Sequence, residues 1–316
     1  MGGLMFKYAC KRILTAVPVL IGISMLAFLL GVLSPGDPAE FVLNQDGMYA
    51  PTEEQLAAMR AELGLTRPLW VQYGSWLAQA VQGNLGTSYI TGRDIWQEIV
   101  LRLPTTMELA VLALAIAGIG GVALGIICAV YRGSVFDNAV KNLTNIMLSV
   151  PSFWLALVMI LIFSEILRLL PTSGSESIKH FILPAFVLSF ATMGTVCRFM
   201  RGALLAEFGK QYFLVARVRG ISRMKLVAVY ALPNAIIPVI ALLGNYFASV
   251  LGGSVIAESI FAIPGISSIA LEAIRYRDYP VLQAYVLVSG WILIMVMVAV
   301  DLVIAWLNPR VKLGDK

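Results

Sequence analysis

Six stretches of the chain are almost continuously apolar: Ile13–Leu33, Met107–Val130, Asn145–Leu167, Phe181–Phe199, Ala235–Ile256 and Val281–Ala305. A helix rises about 1.5 Å per residue, so roughly 20 residues cross a hydrocarbon core about 30 Å thick. Each run therefore predicts a transmembrane helix. The polar intervals differ in kind. Ser34 to Thr106 is long, richer in acid than in base, and carries helix punctuation. Thr52 with Gln55 predicts a capping box ahead of a helix that Gly64 ends, and Pro68 opens a second helix that stops at Gly83. Leu69, Tyr73, Trp76 and Leu77 form an apolar stripe on that second helix. The interval reads as a small folded cap.

The other intervals are short and basic. Lys7, Lys11 and Arg12 precede the first run, Arg132 and Lys141 follow the second, Arg310 and Lys312 follow the last, and the interval after the fourth carries the densest cations. Cytoplasmic flanks carry such a bias. With six spans and both termini inside, every basic flank falls on the same side. The first run is preceded by cations as a signal peptide would be, but it is long enough to span and no small-residue cleavage site follows it, so it reads as a retained anchor.

Composition agrees with the pattern: 59% of the 316 residues are hydrophobic and 13% charged, against about a quarter charged in soluble domains. The net charge of +5 is dispersed over run ends and inner loops, which is a topological signal and not a nucleic-acid surface. Cys10, Cys128 and Cys197 show no paired spacing, and His180, the single histidine, opens an apolar run; no disulfide framework or metal set follows. Gly118, Gly120, Gly121 and Gly125 predict close helix packing. Pro151, Pro184 and Pro238 remove backbone donors in or beside apolar runs, where they bend or gate. Glu258 and Asp301 lie near run ends, where snorkelling or capping would satisfy them. No dense relay of Asp, Glu and His crosses the runs, as a proton-driven pump would require. There is also no Gly-x-x-x-x-Gly-Lys-Ser/Thr loop, no HExxH and no Gly-x-Ser-x-Gly, so neither ATP binding nor hydrolytic chemistry is written in the chain.

The interval Glu207–Pro238 organises the rest. It holds Lys210, Arg217, Arg219, Arg223 and Lys225 against the single acid Glu207. A short helix from about Tyr212 ends at Gly220, suited to the left-handed position that closes a helix, and Ser222 stands where the next helix is capped. Phe213, Leu214 and Ile221 are the apolar side chains this elbow has available for docking. Ala216-Arg217-Val218-Arg219-Gly220, then Leu232-Pro233-Asn234-Ala235, resembles the cytoplasmic coupling loop of permease subunits of ATP-binding cassette importers. The version is that of the dipeptide, oligopeptide and nickel branch, although Leu214 and Tyr230 replace the glutamate and isoleucine of the generic motif.

Further words along the chain are similar to the same family: Pro35-Gly36-Asp37-Pro38-Ala39, Asn84-Leu85-Gly86-Thr87-Ser88, Arg102 to Leu109, Gly252-Gly253 to Glu258, Phe261 to Gly265, Arg277 to Pro280, and Val300-Asp301 to Arg310. The resemblance implies an all-α membrane protein with six transmembrane helices of the type I importer permease architecture. Residues 1–34 would be an N-terminal anchor helix, 35–106 a helical extracytoplasmic cap between helices 1 and 2, and 107–316 a five-helix core with its coupling loop at about 201–232. It implies coupling to an ATPase through Phe213, Leu214, Val215, Ala216, Arg217, Arg219, Gly220 and Ile221. Asp37, Gly252, Gly253, Glu258, Pro264, Gly265, Asp278, Pro280 and Asp301 would be structural signature residues. The chain would be no enzyme and would bind no cofactor or metal itself, with ATP and Mg on partner subunits. The implied partners are a second homologous permease, two cytoplasmic ATPases, an external solute-binding protein and membrane lipid, without nucleic acid, in a bacterial inner membrane. Cargo would be small peptides, nickel or metal chelates; the short link Pro171–Lys179 leans to the metal members. The alternative is a stand-alone secondary transporter or channel.

Overall fold

The computed structural model describes residues 2–33, 36–43 and 51–307, with side chains for these apart from residues 2–9, 11, 13, 248, 251–253 and 307. In chain order the helices are α1 (Gly2–Val32), α2 (Pro38–Leu43), α3 (Glu53–Glu62), α4 (Leu69–Val81), α5 (Ile95–Val130), α6 (Val135–Ser149), α7 (Ser152–Met159), α8 (Ile178–Phe208), α9 (Gln211–Val218), α10 (Arg223–Lys225), α11 (Leu232–Gly253), α12 (Val255–Ile260), α13 (Ile266–Tyr276) and α14 (Tyr279–Leu307). Two π-helical stretches, Ile160–Ile166 and Leu226–Ala231, continue α7 and precede α11. Among the described residues, strand pairing is limited to one isolated bridge between Thr87 and Asp94.

Among the described residues, five helical segments are long and apolar enough to cross a membrane, or six if the bent pair Val135–Ser149 and Ser152–Ile166 counts as one. That pair corrects the sequence expectation of a continuous third span, because its limbs meet at 102°. The cause is local. Pro151 has no N–H to carry the helix on, and it forces Val150 into an extended conformation at φ −78° and ψ 123°. Other boundaries move outward. α5 starts at Ile95 and runs through Pro104, so the last dozen residues assigned to the cap are helix, and α8 extends past Phe199 to Phe208. The fifth run breaks at Ser254, between α11 and α12, before its expected end at Ile256.

The chain divides into two compact units. One comprises the chain up to Ile13, Thr105–Pro264, and Met295 onward. Its core has two clusters: Leu109, Leu155, Phe181, Phe261 and Ile263 in one, and Val196, Met200, Leu204, Phe213 and Val239 in the other. α5 and α8 approach closely because Gly121 and Gly125 bring backbone against the neighbour. A Cβ at Gly121 would stand 2.8 Å from the Met193 carbonyl, and one at Gly125 2.8 Å from that of Cys197. No side chain fits there, which is the use membrane helices make of glycine.

The second unit is Leu14–Pro104 with Gly265–Ile294; residues 265–294, grouped with the core in the sequence division, pack here with the cap. Leu85, Ile95, Ile99, Ile266, Ile269 and Val281 form its interior. Thr52 and Gln55 make the capping box of α3. Gly64 closes it at φ +70°, with the Leu65 N–H donating to the Arg60 carbonyl. Part of the stripe on α4 packs on α1: the Tyr73 and Trp76 rings lie 5.5 and 5.9 Å from Phe28, the Tyr73 and Ser24 hydroxyls share a 2.7 Å hydrogen bond, and Leu69 stays exposed.

Candidate functional site

The basic elbow is built from the end of α8 outward. Gly209 and Lys210 break the helix after Phe208, and α9 begins at Gln211. Glu207, the lone acid of the stretch, is buried. Its carboxylate accepts from Lys210 Nζ at 2.6 Å and from the Tyr212 hydroxyl, and that hydroxyl also lies 3.2 Å from the Tyr230 carbonyl oxygen. Glu207 and Tyr212 together thus tie the end of α8 to the start of α9 and to the π-helical stretch beyond. Burial, and then the hydrogen bond to Glu207, push the Tyr212 pKa up. Sequence reasoning counted Glu207 as a charge and missed this role, although an acid alone among five cations was the signal.

α9 closes by geometry. Gly220 has φ +77°, its N–H donates to the Arg217 carbonyl at 3.0 Å, and the Ile221 N–H donates to that of Ala216 at 3.4 Å. This is the paired-bond arrangement that favours glycine after a helix. Ser222 occupies the cap position of α10, but its side chain makes no capping hydrogen bond. Pro233 then denies a donor to the Val229 carbonyl, and the turn before it is wound as π. Arg223 stacks over the Tyr131 ring at 5.7 Å, joining the elbow to the loop after α5.

The faces of α9 sort by spacing. Phe213 and Ala216 are buried in the core cluster with Met200, Leu204 and Ala235, and the Phe213 ring lies 4.8 Å from Phe208. Phe213, expected to be available for docking, is therefore an anchor: its ring is taken up inside the protein. Ile221 is half-buried against the same cluster. Leu214, Val215 and Val218 lie outward, with Val218 88% exposed, and Arg217, Arg219 and Gly220 are exposed beside them. Leu214 and Val218, four residues apart, share one helical face. Val218 and exposed Met224 escaped the sequence reading, which followed the motif words and not the helical period.

Several of the separated words meet. Glu258 is only 1% exposed, so of its two expected fates, snorkelling or capping, snorkelling is ruled out. Thr106 and Ser254 hydroxyls each donate to its Oε1 at 2.9 Å, which satisfies the carboxylate within the protein. Asp278 is buried too; it accepts from the Ser88 hydroxyl at 2.5 Å and from the Tyr89 N–H at 3.2 Å. Asp37 caps α2 through the Ala39 N–H and pairs with Arg60 of α3 at 2.6 Å. Asp301 pairs with Arg12 at 3.1 Å. Pro280 lies in the first turn of α14, where its missing N–H is harmless. Pro264 is exposed, while buried Gly265 starts α13. Gly252 and Gly253 end α11, and their surroundings lie outside the described side chains.

An ion pair that sequence spacing did not reveal links α6 to α8. Asp137, fully buried, takes a bidentate bond from Arg201 at 2.7 and 2.9 Å and a third from the Gly133 N–H. Cys128 and Cys197 pack beside each other in the same region as free, buried thiols.

Residues 121–313 match the family described as binding-protein-dependent transport system inner membrane component, and residues 5–110 match its N-terminal counterpart. The chain belongs to this family. The permease is 36% identical over 310 residues to a putative peptide transport system permease protein of Brucella abortus (strain 2308), covering 96% of this chain and 98% of the relative. It is 32% identical over 339 residues to the dipeptide transport system permease protein of Escherichia coli (strain K12), with 98% and 99% covered. The glutathione transport system permease protein of Pectobacterium atrosepticum is 36% identical over 308 residues, with 98% and 99% covered. In fold the permease is similar to a chain of the inward-facing MetNI methionine ABC transporter, with a TM-score of 0.56 and 19% identity over 66% of this chain and 96% of that one. It is a multi-pass inner-membrane permease of an ATP-binding cassette importer with a type I fold, and a transport subunit, not an enzyme.

Proposed function

We propose that this permease forms half of the translocation path of an importer for small peptides, moved by separate ATPase subunits that grip the outer face of α9. The observation that carries the reading is the division of α9. Phe213 and Ala216 hold it to the core, while Leu214, Val215 and Val218 present an apolar edge flanked by Arg217 and Arg219. An apolar edge on a helix fixed to α8 by Glu207 passes a push from outside into the spans as rigid-body motion. A second related permease completes the path, two ATPases carrying ATP and Mg drive it, and an external binding protein delivers cargo to the cap. The basic elbow lies on the cytoplasmic side. Peptides are favoured over metal chelates because the relatives are named for peptide, dipeptide and glutathione transport.

Val218→Asp places a charge in the apolar contact. Co-purification of the ATPases and ATP-driven peptide uptake into vesicles should each fall about tenfold; unchanged values would reject the docking assignment. Uptake by this chain alone under an ion gradient would favour the stand-alone transporter.

A further inference from the structure

α8 has a second face with no place in the elbow. Thr195, Arg198, Phe199, Gly202 and Ala203 recur at the i, i+3, i+4, i+7, i+8 spacing of one helical side, and with Pro238 of α11 they line an open cavity of about 560 Å³. That is within the roughly 300–1,000 Å³ of small-molecule sites. Its opposite side, Val196, Met200 and Leu204, is core. The two arginines of this stretch of α8 have different fates. Arg201 is committed to Asp137, whereas the exposed Arg198 forms no ion pair among the described residues. Arg198 stands at the end of the apolar run Phe181–Phe199, where a long cation reaches out to water or to an anion, and no acidic side chain lines this groove.

We infer that this groove is a cargo station in which Arg198 holds the terminal carboxylate of a short peptide. The inference rests on the reading of the permease as a peptide importer. A peptide brings the group the groove lacks, a carboxylate for the guanidinium. Placement supports a cargo site over a lipid contact. α8 runs into the elbow and α11 leaves it, so the groove lies between the two helices that a push on α9 displaces, where holding and release follow the motor.

The test uses membrane vesicles containing the assembled importer, inverted to expose the cytoplasmic side, with Gly202→Cys in a Cys10→Ser background. A Cβ at Gly202 meets nothing within 4 Å, so the new thiol reports the groove. Millimolar alanyl-alanine should slow maleimide labelling at least fivefold, and its C-terminal amide should not. Arg198→Gln should abolish the protection, and Arg198→Lys should keep part of it. Equal protection by the amide, protection that survives Arg198→Gln, or no protection would overturn the proposal; no protection together with a labelling rate that Arg198→Gln alone alters would assign the arginine to a lipid phosphate. Uptake of alanyl-alanine by the wild-type importer, measured in parallel, tests the peptide reading separately.

Discussion

Single carboxylates hold distant parts of this permease together, and each does so where charge alone would have placed it in water. Glu258, Asp278, Asp137 and Glu207 are all buried and all bonded; removing a partner from such a group leaves it desolvated without compensation. Asp278 has a measurable neighbour. Tyr89, stacked on Phe41, has its pKa pushed up from 10.0 to about 12 by burial first, then by the charges of Asp278 and Asp37. The folded state therefore keeps this proton where the unfolded state releases it. Its contribution to stability is whole below pH 10.0 and is lost as pH rises toward about 12. Alkaline unfolding followed by tyrosinate absorbance should show this loss in the wild type and not in Tyr89→Phe. At this scale the sequence was partly legible: Asp37, Glu258 and Asp278 stand out as words, but their partners Arg60, Thr106 and Ser88 lie 23, 152 and 190 residues away. Spacing along the chain carries no trace of such pairings.

Among elements, the glycine turn was legible, because it depends on one residue's own backbone, whereas Pro151 was visible only as a residue that bends or gates and the full break it makes in the third run was not. Gly220 adopts the left-handed conformation that its position demands. A β-branched residue there has open space but the wrong torsion, at a penalty of about 1–2 kcal/mol. Gly220→Val should leave the importer assembled and hydrolysing ATP while uptake per ATP falls severalfold; Gly220→Asn should be milder, since asparagine tolerates that conformation. Equal coupling ratios in both variants and the wild type would remove the turn from the transmission path. The direction in which α9 lies was not legible. Phe213 and Leu214 are adjacent and both apolar, and only the core made by Met200, Leu204 and Ala235 decides which turns inward.

For the whole molecule, the count of six apolar runs holds only if α6, α7 and the π-helical stretch after α7 are taken together. Each limb of that bent pair is fifteen residues, a reach of about 22 Å against roughly 30 Å of hydrocarbon. Neither traverses the bilayer by itself, so the pair makes one passage or none, and Pro151 becomes the residue on which the parity of the polypeptide turns. One passage leaves the two ends of the chain in a shared compartment; none would separate them. We expect a fluorescent reporter that matures only in the cytoplasm to light up when fused to either end, and a dark reporter at one end would mean that the limbs return to the side they came from.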